Sequence, residues 1–182
     1  MKQKIAIFLS KFLIVFYKLK YGRSVSFGKN VIVNHRFKLR GKGHLKIGEN
    51  VNMWAHEEPN QFNFYNKNAK ITIGVSTRLN GITCHCEEKI IIEDHCMIAS
   101  SIIMDTDFHT FNDKAHILYG NKKTKPIEIK KGVWLAGQSV ILKGCKIGEK
   151  SVVGFRAVVT KSFPSNVVIA GNPGRIVKSH KG

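Results

Sequence analysis

The stretch IKKGVWLAGQSVILKGCKIGEKSVVGFRAVV, residues 129–159, has a large aliphatic residue at every sixth position. The aliphatic positions are Ile129, Leu135, Ile141, Ile147, Val153 and Val159. The positions four residues later are mostly small, namely Val133, Ser139, Cys145, Ser151 and Ala157, until Phe163 ends the pattern. A period of six matches neither the 3.6-residue turn of an α-helix nor the two-residue repeat of an ordinary strand.

A six-residue period predicts a β-solenoid with three flat sides per coil, each side one hexapeptide long. The aliphatic side chain points into a narrow interior, and the small residue lies near a corner. The repeat continues upstream with interruptions at residues 41–43, 57–70 and 105–126, of which the second is interpreted as a loop or an elaborated turn. At about 18 residues per coil, residues 27–163 hold roughly six to seven coils. Because every coil packs on its neighbours, residues 23–182 are expected to form one domain with a loop at 105–126 and a C-terminal tail.

Composition narrows the class of protein. The 182 residues carry a formal net charge of +18, which suits phosphorylated cofactors, anionic glycans or a membrane surface. No nucleic-acid module accompanies this charge, so we expect no binding to DNA or RNA.

The four cysteines, at 84, 86, 96 and 145, lack the spacing of a zinc site, and we expect no metal. A secretory cleavage motif is not recognised, which favours a reducing cytoplasm.

Residues 1–22 predict a basic amphipathic helix. Its apolar positions are Ile5, Phe8, Leu9, Phe12, Leu13, Phe16 and Leu19, and its lysines are Lys2, Lys4, Lys11, Lys18 and Lys20. The apolar run is broken before it reaches the ~20 residues that span a bilayer. Two compatible roles remain open. The helix could lie on an anionic membrane surface, or it could pack over the open end of the solenoid and shield its strand edges.

The C-terminal third resembles a known family. The motifs are Gly132-Val-Trp-Leu-Ala-Gly, Ile141-Leu-Lys-Gly-Cys-Lys-Ile-Gly, Val158-Val-Thr-Lys and Ala170-Gly-Asn-Pro-Gly-Arg. They are similar to the hexapeptide-repeat acyltransferases, and more narrowly to the galactoside, maltose and polysaccharide O-acetyltransferase branch, over about residues 25–178. The resemblance implies an all-β fold, a left-handed parallel β-helix. It also implies a homotrimer that holds acetyl-CoA in a groove between adjacent solenoids.

The resemblance also implies site residues. The stretch Met104-Asp-Thr-Asp-Phe-His matches the loop that carries the family's catalytic histidine, and it nominates His109. Asn80, about thirty residues earlier, matches an asparagine that holds the acceptor. Trp134, about twenty-five residues after His109, matches the family tryptophan. One departure is that the common Trp-Ile-Gly-Ala reads Trp134-Leu-Ala-Gly here, which leaves the backbone contacts to coenzyme A at this turn open.

His109 has a chemical reason to be the general base. Transfer of an acetyl group from a thioester to a sugar hydroxyl needs a proton acceptor near neutral pH, and a neutral imidazole supplies one. Asp105 or Asp107 could orient the ring, although a backbone carbonyl could do so equally well. Asp107 and His116 are further acceptor-binding candidates, and the alternative for each histidine is a solvated residue in a surface loop.

Five residues are candidates for contact with coenzyme A. Ala136, Gly137 and Gly154 are small enough to let the pantetheine arm approach the backbone. Lys161 suits the phosphates of coenzyme A by its charge, and Arg175 by the planar fork of its guanidinium. The alternative for each is an exposed charge without a ligand. The segment Asn172-Pro173-Gly174 is predicted to turn the chain back after the last coil.

These observations predict an acetyl-CoA-dependent O-acetyltransferase that modifies a sugar hydroxyl in surface polysaccharide biosynthesis. We expect it to be cytoplasmic, with peripheral contact to the inner membrane through the helix. Three alternatives stay open: an N-acetyltransferase of a nucleotide-linked amino sugar, a solenoid that binds or scaffolds glycan without catalysis, and a zinc hydratase. The zinc hydratase is disfavoured because no two histidines have the five-residue spacing that those enzymes use.

Overall fold

The computed structural model describes residues 2–109 and 122–180. Helix α1 covers Lys2–Tyr21, and a 3-10 turn covers Gly22–Ser24. The strands are β1 Val25–Phe27, β2 Ile32–Val33, β3 Phe37–Arg40, β4 His44–Ile47, β5 Asn52–Met53, β6 Asn60–Phe64, β7 Lys70–Ile73, β8 Arg78–Asn80, β9 Thr83–Cys86, β10 Lys89–Ile92, β11 Met97–Ala99, β12 Ile102–Met104, β13 Ile127–Ile129, β14 Trp134–Leu135, β15 Val140–Ile141, β16 Lys146–Ile147, β17 Val152–Val153, β18 Val158–Val159, β19 Val167–Ala170 and β20 Arg175–Ser179.

The strands form three sheets in which every strand pair except β19–β20 is parallel. Face A contains β1-β4-β7-β10-β13-β16, face B contains β2-β5-β8-β11-β14-β17-β19-β20, and face C contains β3-β6-β9-β12-β15-β18. The chain visits face A, then face B, then face C in each coil. It therefore builds a three-sided prism with an AB corner, a BC corner and a CA corner. The predicted left-handed parallel β-helix is confirmed.

The six-residue period corresponds to columns of aliphatic side chains inside the prism. On face A, Ile73 pairs with Ile92, Ile92 with Ile129, and Ile129 with Ile147 in successive coils. All four are at most 1% exposed. The parallel register therefore stacks isoleucine on isoleucine in successive coils, and each coil completes the burial of the side chains in the coil before it.

One predicted loop contains a strand. The break at 57–70 includes β6, which pairs with β3 and β9 and buries Phe62 inside the prism. Asn60 begins this strand and is fully buried. Its side-chain amide donates to the Met53 carbonyl at 2.8 Å, and its Oδ1 accepts from the backbone N–H of Gly81 at 3.0 Å. The loop interpretation was wrong because a buried, fully hydrogen-bonded asparagine stands where the repeat leads one to expect a small apolar residue.

The C-terminal end of the solenoid is closed by a hairpin. The chain turns back at Asn172-Pro173-Gly174, as predicted, and β20 pairs antiparallel with β19. Strand β20 thereby extends face B by one strand after the last coil.

Helix α1 closes the other end. It packs on the first coil, whose strands β1, β2 and β3 are the outermost members of the three sheets. Ser10 is fully buried, and its Oγ accepts a hydrogen bond from the Val33 N–H at 2.9 Å. The hydroxyls of Tyr17 and Tyr21 donate to the carbonyls of Phe37 and Leu39, both at 2.7 Å. The helix thus pairs backbone groups that an uncovered edge would leave free. Within residues 2–109 and 122–180, no helix offers an apolar segment that could cross a bilayer.

The Ser10 contact yields a stability prediction. Replacing Ser10 with Ala leaves the buried Val33 N–H without its partner, so the free energy of unfolding should fall by about 1–3 kcal/mol. Urea unfolding followed by tryptophan fluorescence measures the change. The matched control is Ser26→Ala, because Ser26 is exposed on β1, and it should leave stability within about 0.5 kcal/mol of the parent protein. Equal stability of the two variants would contradict an edge-capping role for Ser10.

Candidate active site

A two-stranded stem leaves the solenoid at the CA corner directly after β12. Thr106 and Thr124 form an antiparallel bridge. The Lys125 N–H donates to the Asp105 carbonyl at 3.0 Å, and the Asp107 N–H donates to the Lys123 carbonyl at 3.2 Å. His109 lies on the outgoing side of this stem. His116, the second predicted histidine of the loop, lies outside the described residues.

Asp105 anchors the root of the stem. Its side chain is fully buried and accepts hydrogen bonds from the backbone N–H groups of Glu87, Glu88 and Lys89 at 2.7, 2.9 and 2.7 Å. Those donors belong to the CA corner of the preceding coil. The carboxylate therefore ties the stem to the solenoid, and its oxygens are engaged with backbone rather than with an imidazole.

Asp107 and His109 lie further out, where solvent reaches them. The Lys143 Nζ lies 2.6 Å from the Asp107 Oδ1, in an ion pair that is partly exposed. The His109 backbone N–H donates to the Asp107 carbonyl at 2.7 Å, and the His109 side chain is exposed. Among the hydrogen bonds of the described residues, none joins the His109 ring to the carboxylate of Asp105 or Asp107. The exposed ring is therefore accessible to a second molecule.

An aromatic cluster that was not predicted from the sequence supports the stem. The Phe108 ring packs edge-on against Tyr65 and His85, with centroid distances of 5.0 and 5.3 Å. The Tyr65 hydroxyl and the His85 Nδ1 share a hydrogen bond of 2.8 Å. Burial lowers the pKa of His85 and raises the pKa of Tyr65, so both groups stay neutral near pH 7. Phe108 itself adopts a left-handed backbone conformation with φ of 60°, which is uncommon for a bulky residue.

The other predicted acceptor residues lie elsewhere on the prism. Asn80 ends β8 at the BC corner, where its Oδ1 accepts from the His56 N–H at 3.0 Å. Trp134 lies on the outer side of face B, beside Met97 of the preceding coil, and is 47% exposed. Asn80 and His109 are therefore separated by the width of face C, and Trp134 faces away from the corner that carries His109. One chain alone does not bring the three residues together.

Most of the predicted coenzyme A contacts share one edge. The registers of β14, β17 and β19 place Ala136, Gly154 and Ala170 in successive coils at the BC corner, and Arg175 pairs with Ala170. Gly137 adjoins Ala136 at that corner. A Cβ on Gly154 would come within 3.2 Å of the Ile169 carbonyl oxygen, so a larger residue here would need the neighbouring backbone to shift by a few tenths of an ångström. Lys161 lies instead at the CA corner and is exposed.

The described residues contain no cluster of three or more His, Cys, Asp or Glu side chains that could hold a metal ion. The four cysteines are all buried and unpaired. Burial raises the pKa of each thiol, that of Cys96 to about 11. Such thiols are poor nucleophiles because the thiolate is scarce at neutral pH.

Comparison with known proteins identifies relatives by sequence similarity. The galactoside O-acetyltransferase of Lactococcus lactis is 30% identical over 138 residues, which are 76% of this chain and 64% of that protein. The galactoside O-acetyltransferase of Escherichia coli is 31% identical over 132 residues, 72% of this chain and 62% of that protein. The chain thus spans somewhat less than two thirds of the length of these relatives. No protein-family model matches the chain.

Solved structures share the fold along most of the chain. AntD, an N-acyltransferase from Bacillus cereus solved with dTDP and coenzyme A, superposes with a TM-score of 0.74 at 24% identity, over 92% of this chain and 89% of AntD. The polySia-specific acetyltransferase NeuO superposes with a TM-score of 0.64 at 25% identity, over 85% of this chain and 75% of NeuO. The class of protein is therefore a hexapeptide-repeat β-helix. Within that class, the resemblance to the hexapeptide-repeat acyltransferases is confirmed.

The two carboxylates of the stem should respond differently to truncation. Asp105→Ala leaves three backbone N–H groups without their charged acceptor, so we expect a loss of at least about 3 kcal/mol in the free energy of unfolding. Asp107→Ala removes only a partly exposed ion pair, so its loss should stay below about 1 kcal/mol. Parallel urea titrations compare the two variants. Similar losses for both would contradict the anchoring role of Asp105.

Proposed function

We propose that the protein transfers an acetyl group from acetyl-CoA to a sugar hydroxyl, with His109 as the general base. The observation that carries the proposal is the position of His109, an exposed imidazole on a stem that is firmly anchored at the edge of a hexapeptide solenoid. The similarity to two galactoside O-acetyltransferases supports an oxygen acceptor. A sugar of a surface polysaccharide, or its precursor, is the acceptor class that the resemblance favours.

The reaction proceeds by direct attack. The Nε2 or Nδ1 of neutral His109 accepts the proton of the sugar hydroxyl while its oxygen attacks the thioester carbonyl. The tetrahedral intermediate collapses, the C–S bond breaks, and the sulfur leaves as coenzyme A with a proton from the imidazolium. Backbone N–H groups near the coil edges stabilise the oxyanion. The buried thiols of high pKa support a route without a cysteinyl intermediate.

Acetyl-CoA lies along the BC corner in this proposal. The small residues Ala136, Gly137 and Gly154 leave the backbone accessible to an extended pantetheine arm. Arg175, two strands beyond β17 along the same edge, would meet a phosphate, and its planar fork suits phosphate oxygens. Lys161 lies at a different corner, so it reaches the same cofactor only from an adjacent protomer.

The active unit is proposed to be a homotrimer with sites shared between protomers. His109 and Trp134 lie on opposite sides of one prism, so a site that uses both must draw on two chains. The outer surfaces of faces B and C also favour association. Met97 and Trp134 are 50% and 47% exposed on face B, and Ile102, 39% exposed, precedes Val140 and Val158 in a column on face C. Face A instead presents charged residues such as Glu128 and Lys146.

The site of action is proposed to be the cytoplasm. All four cysteines are unpaired, which suits a reducing compartment. An amine of a nucleotide-linked sugar is the closest alternative acceptor, because the same base and the same groove would serve it. Amino sugars therefore belong in the acceptor panel.

The experiment measures thiol release from acetyl-CoA in the presence of a panel of sugars and amino sugars. His109→Ala should lower sugar-dependent turnover by at least about a hundredfold, while acetyl-CoA still binds. The matched control is His44→Ala, because His44 is an exposed histidine of β4, two coils before the coil from which the stem leaves, and its turnover should equal that of the parent protein.

Two results would overturn parts of the proposal. Equal turnover in His109→Ala would remove His109 from the mechanism. Failure of the parent protein to bind acetyl-CoA would refute the transferase itself and favour a glycan-binding solenoid.

A further inference from the structure

Helix α1 presents an unburied apolar stripe to solvent. Its members are Ile5, Phe8, Leu9, Phe12, Val15, Phe16 and Leu19, which are between 50% and 82% exposed. Their spacing of three and four residues places them on one side of the helix. The opposite side holds Ser10, Tyr17 and Tyr21, the residues that cap the solenoid. Of the apolar positions that the sequence assigned to this helix, only Leu13 packs against the core.

Lysines border the stripe. Lys11, Lys18 and Lys20 are exposed, and Lys11 and Lys18 line a groove with Val15 between α1 and the first coil. At the C-terminal end of the helix, Lys20 lines a depression together with Lys42 and Lys67. The edges of the stripe are thus basic while its centre is aliphatic and aromatic.

The whole N-terminal end of the molecule lacks acidic side chains. Residues 1–48 contain nine Lys and three Arg, and Glu49 is the first acidic residue of the chain. The remaining Asp and Glu residues all follow it in sequence, so the positive charge without acidic neighbours in the chain covers the helix, the first coil and strand β4. A partner that binds an apolar stripe bordered by positive charge needs an apolar interior and a negatively charged surface.

We infer that α1 docks on a bilayer surface that contains anionic phospholipid. The stripe lies among the acyl chains near the headgroups, and the lysines contact lipid phosphates. A second copy of this chain fits the stripe poorly, because stripe-to-stripe contact would bring two sets of lysines together without acidic partners. The docking is peripheral, since α1 lies across the end of the solenoid and its capping side cannot enter lipid without leaving the first coil.

The solenoid prepares the helix for this contact. Hydrogen bonds from Tyr17 and Tyr21 to β3, and the burial of Ser10 against β2, hold α1 folded with its stripe facing outward. Docking therefore needs no folding of a disordered segment, which would weaken binding. Docking of α1 also orients the solenoid with its N-terminal end towards the membrane. In the proposed trimer, the stripes of all three protomers would face the same side.

The test is co-sedimentation of the full chain with vesicles, without acetyl-CoA or sugar, so that its outcome is independent of the transferase proposal. The parent protein should bind vesicles that contain about 30% phosphatidylglycerol, should bind pure phosphatidylcholine weakly, and should release as salt screens the charge. Phe12→Glu combined with Phe16→Glu should weaken binding by at least about tenfold. The thermal midpoint of the variant should stay near that of the parent protein, because neither side chain packs on the solenoid.

The matched control is Ile176→Glu combined with Val177→Glu. These two residues are exposed apolar positions of β20, 46% and 61% exposed, at the opposite end of the solenoid. The control makes the same change in charge, also removes two exposed apolar side chains, and should bind vesicles like the parent protein. Equal loss in both variants, or no binding by the parent protein, would overturn the inference. A change of oligomeric state confined to the helix variant, without vesicle binding by the parent protein, would assign the stripe to another copy of the chain.

Discussion

Each coil of this protein can bury its aliphatic side chains only by lying in parallel register on the next coil. The columns of stacked residues, such as Ile73, Ile92, Ile129 and Ile147, and the backbone ladder between strands are two aspects of that single constraint. The constraint leaves two ends where the ladder has no partner. Helix α1 covers one end with hydroxyl groups, and the β19–β20 hairpin closes the other. Stability therefore depends on the ends as much as on the repeat.

The same constraint determines where chemistry can occur. Inward positions are taken by packing, so reactive groups must lie on the outer faces, at corners or on insertions. The stem that carries His109 is such an insertion, and Asp105 fixes it by binding three backbone N–H groups of the preceding coil. Residues at different corners of one prism cannot meet, which makes an arrangement of several chains the natural way to assemble a site.

The repeat itself was predictable from sequence because its period is local and strict between Ile129 and Val159. Features that depend on distant contacts were not. Strand β6 was missed because Asn60 satisfies its buried amide with backbone of its own coil, at Met53, and of the next coil, at Gly81. Asp105 and Asp107 looked equivalent, yet one is buried against corner amides and the other faces solvent. The cluster of Tyr65, His85 and Phe108 joins three coils, and no spacing within the sequence signals it. In α1, the sequence left open whether the apolar positions pack on the solenoid or face a membrane, and in the structure a serine and two tyrosines make the hydrogen bonds to the first coil.

That His109, Asn80 and Trp134 form one site shared between protomers stays a prediction. Subunit complementation tests it most directly. His109→Ala and Trp134→Ala chains would be co-expressed with different tags, and trimers that carry both tags would be isolated. If each site takes His109 from one protomer and Trp134 from its neighbour in a ring, every mixed trimer holds one intact site, and activity should recover to about one third of that of the parent protein. Mixed trimers as inactive as the two single variants would contradict a site shared between protomers.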